Sequence, residues 1–363
     1  MHLEKGLKTH ATGPEVLIFK RACLFYRRSF PTPAYFVLVL RTGYFDPEWI
    51  AVRILSMHEQ YKNKLDWKYS SEPDYRLVRV TGTDAETFLQ GQMTQNVVTL
   101  PKGRAAWASS CNYQGRVAAV SLLFRTADGF GMLLPGSQAE EEVRRLSKYI
   151  LRSKVAMEIA PVPVTYIEAD EAVGAACPCP ALPKEEMEVL EGSSVITVRL
   201  PRKGSDGVKA RYLVFGEIPS DMKPPVESKG ELKNALLHLG VALIEKQETL
   251  EWLPQALNLD LIGAVVPNKG CYTGQEVINK TQSHGRIKRR MFLGKCRLEN
   301  LDMNREVFVQ NEPMGRIVAD NGEEFLYVLS WEYADSPVTV QGQPVEKIDL
   351  PYDVTVPESV FRK

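Results

Sequence analysis

Beyond Arg290 the chain breaks into short runs of alternating character, Phe292 to Leu298, Glu306 to Val309, Arg316 to Ala319, Phe325 to Leu329 and Val338 to Val340, with turns between them. Strands this short cannot satisfy their own backbone, so they must pair into one compact sheet, a small barrel or a sandwich. That constraint makes the last part of the chain an all-β unit. The part before it is mixed. Arg76-Leu77-Val78-Arg79-Val80 alternates as a strand, and Thr83-Asp84-Ala85-Glu86 has the spacing of a capping box ahead of Phe88 and Leu89. Trp107 to Phe124 reads as two strands around a turn at Asn112-Tyr113-Gln114-Gly115. Helical spacing appears in Glu140 to Leu151, with Val143, Leu146, Tyr149 and Ile150 near one face, and again in Glu231 to Leu239, where Gly240 fits a C-terminal stop. Residues 171–184 and Pro219 to Lys229 read as loops that bound a middle segment.

At 363 residues the chain is too long for one ordinary core, so two or three domains are expected. Its 44% hydrophobic and 25% charged residues are those of a soluble globular protein. Lysine plus arginine equals aspartate plus glutamate, 45 each, so no global field draws nucleic acid or anionic lipid and any such binding needs a local patch. The six cysteines are scattered and suit a reducing cytosol better than a disulfide framework. The pair Cys177-Pro178-Cys179 has no matching second pair, so no metal site is expected. Residues 1–56 hold eight basic and four acidic residues and one apolar run, Ala34 to Leu40, too short to span a bilayer. Residues 1–60 are read as an extension of open status, either without a function of its own or a targeting segment.

The densest chemistry lies in Lys269-Gly270-Cys271-Tyr272-Thr273-Gly274-Gln275-Glu276. Thr273 and Glu276 have capping-box spacing, which would set Cys271 just outside the positive end of a helix with Lys269 close by. Both features favour thiolate over thiol, and the flanking glycines leave access to it. The competing reading of Cys271 is a small buried hydrophobe. Lys269 either lowers the thiol pKa or holds an anion; a solvated surface lysine is its bland alternative. Gln275 and Glu276 fit backbone binding at the helix start as well as ligand contact. Downstream, Lys280, Arg286, Lys288, Arg289, Arg290, Lys295 and Arg297 form a basic stretch without an acid, either an anion-binding surface or the solvent face of a strand.

The octet resembles the KGCYxGQE hallmark of the YgfZ family, folate-binding relatives of the glycine-cleavage T-protein. Trp252-Leu253-Pro254-Gln255-Ala256-Leu257-Asn258-Leu259 and Leu350-Pro351-Tyr352 resemble family segments too, and the likeness runs from near Asp66 almost to the C-terminus. The resemblance implies an α+β fold: a T-protein-like interleaved α/β body around a central folate cleft, followed by a C-terminal small β-barrel. On that reading residues 61–160 and 227–290 form the body, 161–226 the middle segment and 291–363 the barrel. It also implies a tetrahydrofolate derivative as cofactor, with Cys271 as the reactive thiol and Lys269 as its electrostatic partner.

Within that frame the amides of Gln255 and Asn258 suit a pterin edge, or else a satisfied turn, while Trp252 and Tyr272 are ring-stacking residues or core. Lys269, Gln275 and Glu276 complete the expected folate-binding set. One departure stands out: where the wider family often has Arg-x-Glu-x-Gly, this chain has Leu236-Leu237-His238-Leu239-Gly240. The function implied is a cytosolic, monomeric accessory protein that supports iron–sulfur cluster enzymes, including enzymes that modify tRNA, without a membrane partner. Two rivals remain: a folate-dependent aminomethyl- or methyltransferase, for which no convincing catalytic aspartate is found, and an RNA-binding module that docks tRNA on the stretch Lys280 to Arg297.

Overall fold

The computed structural model describes residues 67–170, 182–202, 209–218, 227–283, 287–299 and 305–356, all within the unit Leu65–Lys363. The N-terminal extension, Cys177, Cys179 and Arg286 lie outside the described residues. Three sheets organise the rest. A five-stranded antiparallel sheet is ordered Ala105–Cys111, Val117–Arg125, Gly129–Pro135, Tyr75–Thr81, Ala156–Ile159. Its first two strands form the expected hairpin, where Asn112 Oδ1 accepts the backbone N–H groups of Gln114 and Arg116 at 3.0 and 2.9 Å. A six-stranded sheet runs from Glu227–Lys229 through Trp67–Ser71, Val164–Asp170, Lys209–Phe215 and Ile196–Arg199 to Val189–Glu191. Glu227–Lys229, read from sequence as loop, is a strand because Trp67–Ser71 offers it a parallel edge.

The third sheet has seven strands, in the order Gln343–Pro344, Thr339–Val340, Glu306–Val309, Glu312–Asp320, Glu324–Ser330, Arg289–Lys295, Glu346–Ile348. Its two outermost strands are joined through Val345 alone, so the sheet curls until its edges nearly meet. This is the small barrel that the short alternating runs require. The fold is α+β, a mixed body with few helices followed by a barrel-like C-terminal sheet.

Among the described residues four α-helices accompany the sheets: α1 (Ala85–Gln92), α2 (Gly136–Ile150), α3 (Glu231–His238) and α4 (Gln275–Ser283). Helices α1 and α2 cover one face of the five-stranded sheet, where Phe88, Leu89, Ala139 and Leu146 bury against Val78, Val80, Leu123 and Met132. Tyr149, expected on that face, is exposed. The opposite face carries Leu77, Trp107, Val120, Leu122 and Leu133 into the largest core, shared with Tyr166, Leu213 and Phe215 of the six-stranded sheet. Phe124 and Phe215 join the two sheets with ring centroids 5.2 Å apart. Threaded through this core is residues 239–266, which forms little regular structure yet buries Val241, Ile244, Leu257, Leu259 and Ala264.

Helix α3 ends as its sequence predicts. Gly240 at φ +64° donates to Leu237 O and Val241 N–H reaches Leu236 O, the paired bonds of a Schellman stop. Its start is capped from another element. Ser70 Oγ accepts the Glu231 N–H at 3.2 Å, and Glu72 Oε1 accepts the Leu232 N–H at 2.9 Å and the Ser70 hydroxyl at 2.6 Å. Burial pushes the Glu72 carboxyl up from 4.5 to about 7. A carboxyl raised on folding stabilises the fold below its unfolded pKa and loses that contribution as pH rises through about 7. Glu72→Gln keeps the cap and removes the titration. Denaturant unfolding should therefore show Glu72→Gln gaining on the parent between pH 5 and pH 8 by about 1 kcal/mol or more; a constant difference would show that Glu72 does not titrate in this range.

Candidate functional site

Residues Lys269 to Gly274 of the octet fold as a loop between the end of α1 and the Asn112–Gly115 turn, and Gln275 and Glu276 begin α4. Lys269 holds one side. Its ammonium donates to three carbonyls, Gln90 O at 2.6 Å, Met93 O at 2.6 Å and Gln95 O at 2.8 Å, and lies 4.9 Å from the centre of the Tyr272 ring. Burial pulls it down to about 8, and three carbonyl dipoles oppose that pull, so it is charged at neutral pH. All three of its protons are spent on backbone. Gly274 holds the other side. At φ +86° it lies so close to the turn that a Cβ there would stand 2.5 Å from Asn112 O and 2.9 Å from the Gly115 Cα.

That left-handed glycine corrects the capping box expected from Thr273 and Glu276. Helix α4 begins at Gln275, after Gly274, so Thr273 lies outside the capping position and its N–H goes to Gly91 O at 3.2 Å. Glu276 points to solvent and pairs with Lys280 at 2.6 Å. The box expected at Thr83 and Glu86 is likewise not formed: the capping position of α1 is Asp84, without a side-chain cap, and Glu86 pairs with Arg125 at 2.5 Å. Within the octet, Cys271 is exposed, Tyr272 is buried beside Cys111 in the main core, and Gln275 Nε2 reaches Lys269 O at 3.4 Å. The loop thus presents one nucleophilic side chain on a frame fixed from both sides.

Behind the octet lies a cleft. Gln95, whose carbonyl holds Lys269, sends its Nε2 to Trp107 O at 3.0 Å and Gly263 O at 2.8 Å. Trp107 and Gly263 line a cavity of about 430 Å³ together with Ala105, Met187, Leu239, Val241, Ile262 and Tyr352. Arg104 and Arg202 also line it, paired with Glu185 at 3.1 Å and Glu186 at 3.7 Å. Asn258 stands behind Tyr352: its Nδ2 meets the Tyr352 hydroxyl at 3.4 Å and Met291 O at 2.8 Å, while its Oδ1 takes the Met291 N–H at 3.2 Å. Sequence reading did not single out Trp107, Arg104 or Arg202. Trp107 looks like an ordinary strand residue, and only the partnership with Gln95 marks it.

Trp252 and Gln255 belong elsewhere, lining a separate cavity of about 360 Å³ with Arg116, Ala256, Thr281, Lys288 and Arg289. The Trp252 indole N–H donates to Glu248 Oε2 at 3.2 Å, and the Arg289 guanidinium sits 5.8 Å from its ring. Gln255 Nε2 is bound to Ile278 O at 3.0 Å. The structure also divides the basic stretch. Lys288, Arg289, Lys295 and Arg297 are exposed, but Arg290 is fully buried, paired through two bonds with Asp260 at 2.6 and 3.0 Å and bonded to Gln255 O and Thr355 O. His238, at the position of the departure noted above, bonds Glu324 Oε2 at 2.6 Å and ties α3 to the barrel.

No family model matches the chain. It is 27% identical over 320 residues to the tRNA-modifying protein YgfZ of Vibrio atlanticus, covering 82% of this chain and 96% of that protein. Against the tRNA-modifying protein YgfZ of Escherichia fergusonii it is 28% identical over 234 residues, 61% of this chain and 69% of the relative. Its fold is similar to the crystal structure of the glycine cleavage system aminomethyltransferase T from Bartonella henselae, with a TM-score of 0.62 at 14% identity over 79% of this chain and 86% of that one. Among the described residues no helix is long and apolar enough to cross a membrane.

The octet separates a framework role from a chemical one. Lys269→Met leaves three carbonyls without their donor, and Gly274→Ala forces a Cβ against backbone; each should destabilise the protein by about 1–3 kcal/mol. Cys271→Ala changes an exposed side chain and should stay within about 0.5 kcal/mol of the parent. Thermal and denaturant unfolding of the three variants checks the ordering.

Proposed function

We propose that this chain, similar in sequence to YgfZ proteins and in fold to a glycine-cleavage T-protein, is a folate-binding accessory protein acting in tRNA modification. The observation that carries the reading is the linkage from the hallmark octet through Lys269 and Gln95 to Trp107 and Gly263, which line the 430 Å³ cleft. The residues present fit a reduced folate. Trp107 and Tyr352 give flat apolar surface for the rings, Gln95 and Asn258 brace those walls, and Arg104 and Arg202 offer cations for the glutamyl carboxylates. Their ion pairs with Glu185 and Glu186 are solvent-exposed and so cheap to exchange for an incoming carboxylate. Bound folate would supply one-carbon chemistry. Cys271 is the reactive thiol and Lys269 the cation that fixes its loop. The clients are iron–sulfur enzymes, including those that modify tRNA, in the cytosol.

The exposed Lys280, Lys288, Arg289, Lys295 and Arg297 are the part of the basic stretch available to dock tRNA, and Arg116 joins Lys288 and Arg289 beside the Trp252 cavity. Arg290 is excluded from that surface by its buried pairing with Asp260.

Calorimetric titration with tetrahydrofolate should show saturable binding that Trp107→Phe and Arg104→Ala each weaken, with Arg104→Ala hurting polyglutamylated folate most. Absence of binding to the folded parent would sink the folate assignment. In cells, Cys271→Ala should fail to restore the activity of iron–sulfur tRNA-modifying enzymes under oxidative stress, even though the variant is stable; full restoration would remove the thiol from the mechanism. For docking, Arg116→Glu combined with Arg289→Glu should abolish salt-sensitive tRNA binding without unfolding the chain. Unchanged binding by that variant would reject this surface.

A further inference from the structure

Val241 lines a second cavity as well, of about 420 Å³. Its walls come from elements that no single domain supplies: the Glu72–Arg76 turn, the first residues of α2, helix α3 and the barrel strand Glu312–Asp320. Tyr75, Leu236, Leu237, Leu243 and Val318 give it an apolar side. Glu72 breaks that character. It is 1% exposed, and every bond it makes goes to one oxygen, Oε1, which holds Ser70 and the α3 backbone. Among the described residues no hydrogen bond reaches its other oxygen, Oε2, and Glu72 lines the cavity. A carboxylate that is nearly buried and half-satisfied, beside an apolar chamber, calls for a donor from outside.

The other charges around the chamber favour a cationic donor. Arg76 turns one guanidinium nitrogen, Nη1, to the carbonyls of both Pro73 and Tyr75. Lys233 faces Glu245 at 4.0 Å. Those two cations are engaged on the rim, which leaves Glu72 inside and Asp74 at the entrance as the carboxylates not answered by either. We propose that this cavity is a binding site for an alkylammonium ligand, a protonated amine donating to Glu72 Oε2 with its apolar body on Leu236, Leu243 and Val318. The site is distinct from the cleft assigned to folate. Burial holds the Glu72 carboxyl at about 7, so an arriving ammonium draws it into the ionised state and binding near pH 6 releases a proton.

Calorimetric titration of the full chain with hexylamine, hexanol and hexanoate at pH 6.3 tests the assignment. Hexylamine is expected to bind at least tenfold more tightly than either control, with a buffer-dependent heat that reports proton release. Glu72→Gln, which keeps the α3 cap, should lose both the preference and the proton release, and Leu236→Trp should block all three probes by filling the chamber. Saturating tetrahydrofolate should leave hexylamine binding unchanged. Equal affinity for hexanol, or undiminished amine preference in Glu72→Gln, would overturn the proposal. So would competitive displacement by tetrahydrofolate, which would make this chamber part of a folate site, whereas failure of folate to bind anywhere would leave the amine result standing.

Discussion

Residues 239–266 run through the main core with only two short 3-10 helices, Lys246–Glu248 and Pro254–Leu257. Much of their peptide backbone therefore needs partners from elsewhere, and the rest of the structure is arranged around that problem. Side chains do the work that a sheet ladder would do elsewhere. The Asn258 amide pairs with both the N–H and the carbonyl of Met291, as a neighbouring strand would. Thr94 Oγ1 donates to Ala264 O at 2.6 Å, and Gln95 donates to Gly263 O. Arg290 and Asp260 form a closed pair, and the same guanidinium reaches the Gln255 carbonyl. A buried ion pair of this kind contributes little net stability compared with an apolar replacement, but removing one partner is costly. It fixes the segment in one register against the first barrel strand.

This buried segment places the functional surfaces. Its beginning shapes both cavities at Val241, and its end leads into the hallmark octet. The octet is anchored by a lysine whose protons all go to backbone, so the loop holds Cys271 in a defined place while leaving it open to solvent. A nucleophile on a rigid support meets a partner in a set geometry, which a floppy loop would not achieve.

The fold was largely readable wherever the signal was local. The hairpin around Asn112, the strand from Tyr75, the glycine stop of α3 and the short barrel strands all follow from periodicity and turn chemistry. At both capping boxes the helix starts later than the threonine requires, at Ala85 and at Gln275 after Gly274, so neither threonine sits at the cap. A glutamate at the right spacing also sits within reach of a cation, and Arg125 and Lys280 took the carboxylates. The basic stretch misled at Arg290 because a run of like charges does not disclose that Asp260 waits thirty residues upstream. The cleft was the least legible part. Arg104, Trp107, Met187, Arg202 and Tyr352 come from distant stretches, and no local pattern joins them.

The barrel closes almost on itself because Val345 alone separates its two outermost strands. An open sheet of seven strands would present two rows of unpaired N–H and C=O groups, each able to recruit a strand from another molecule. Here those rows belong to strands of two and three residues that turn into one another. Too little edge remains to template edge-to-edge association, so the same short strands that first defined this unit also protect it from self-assembly.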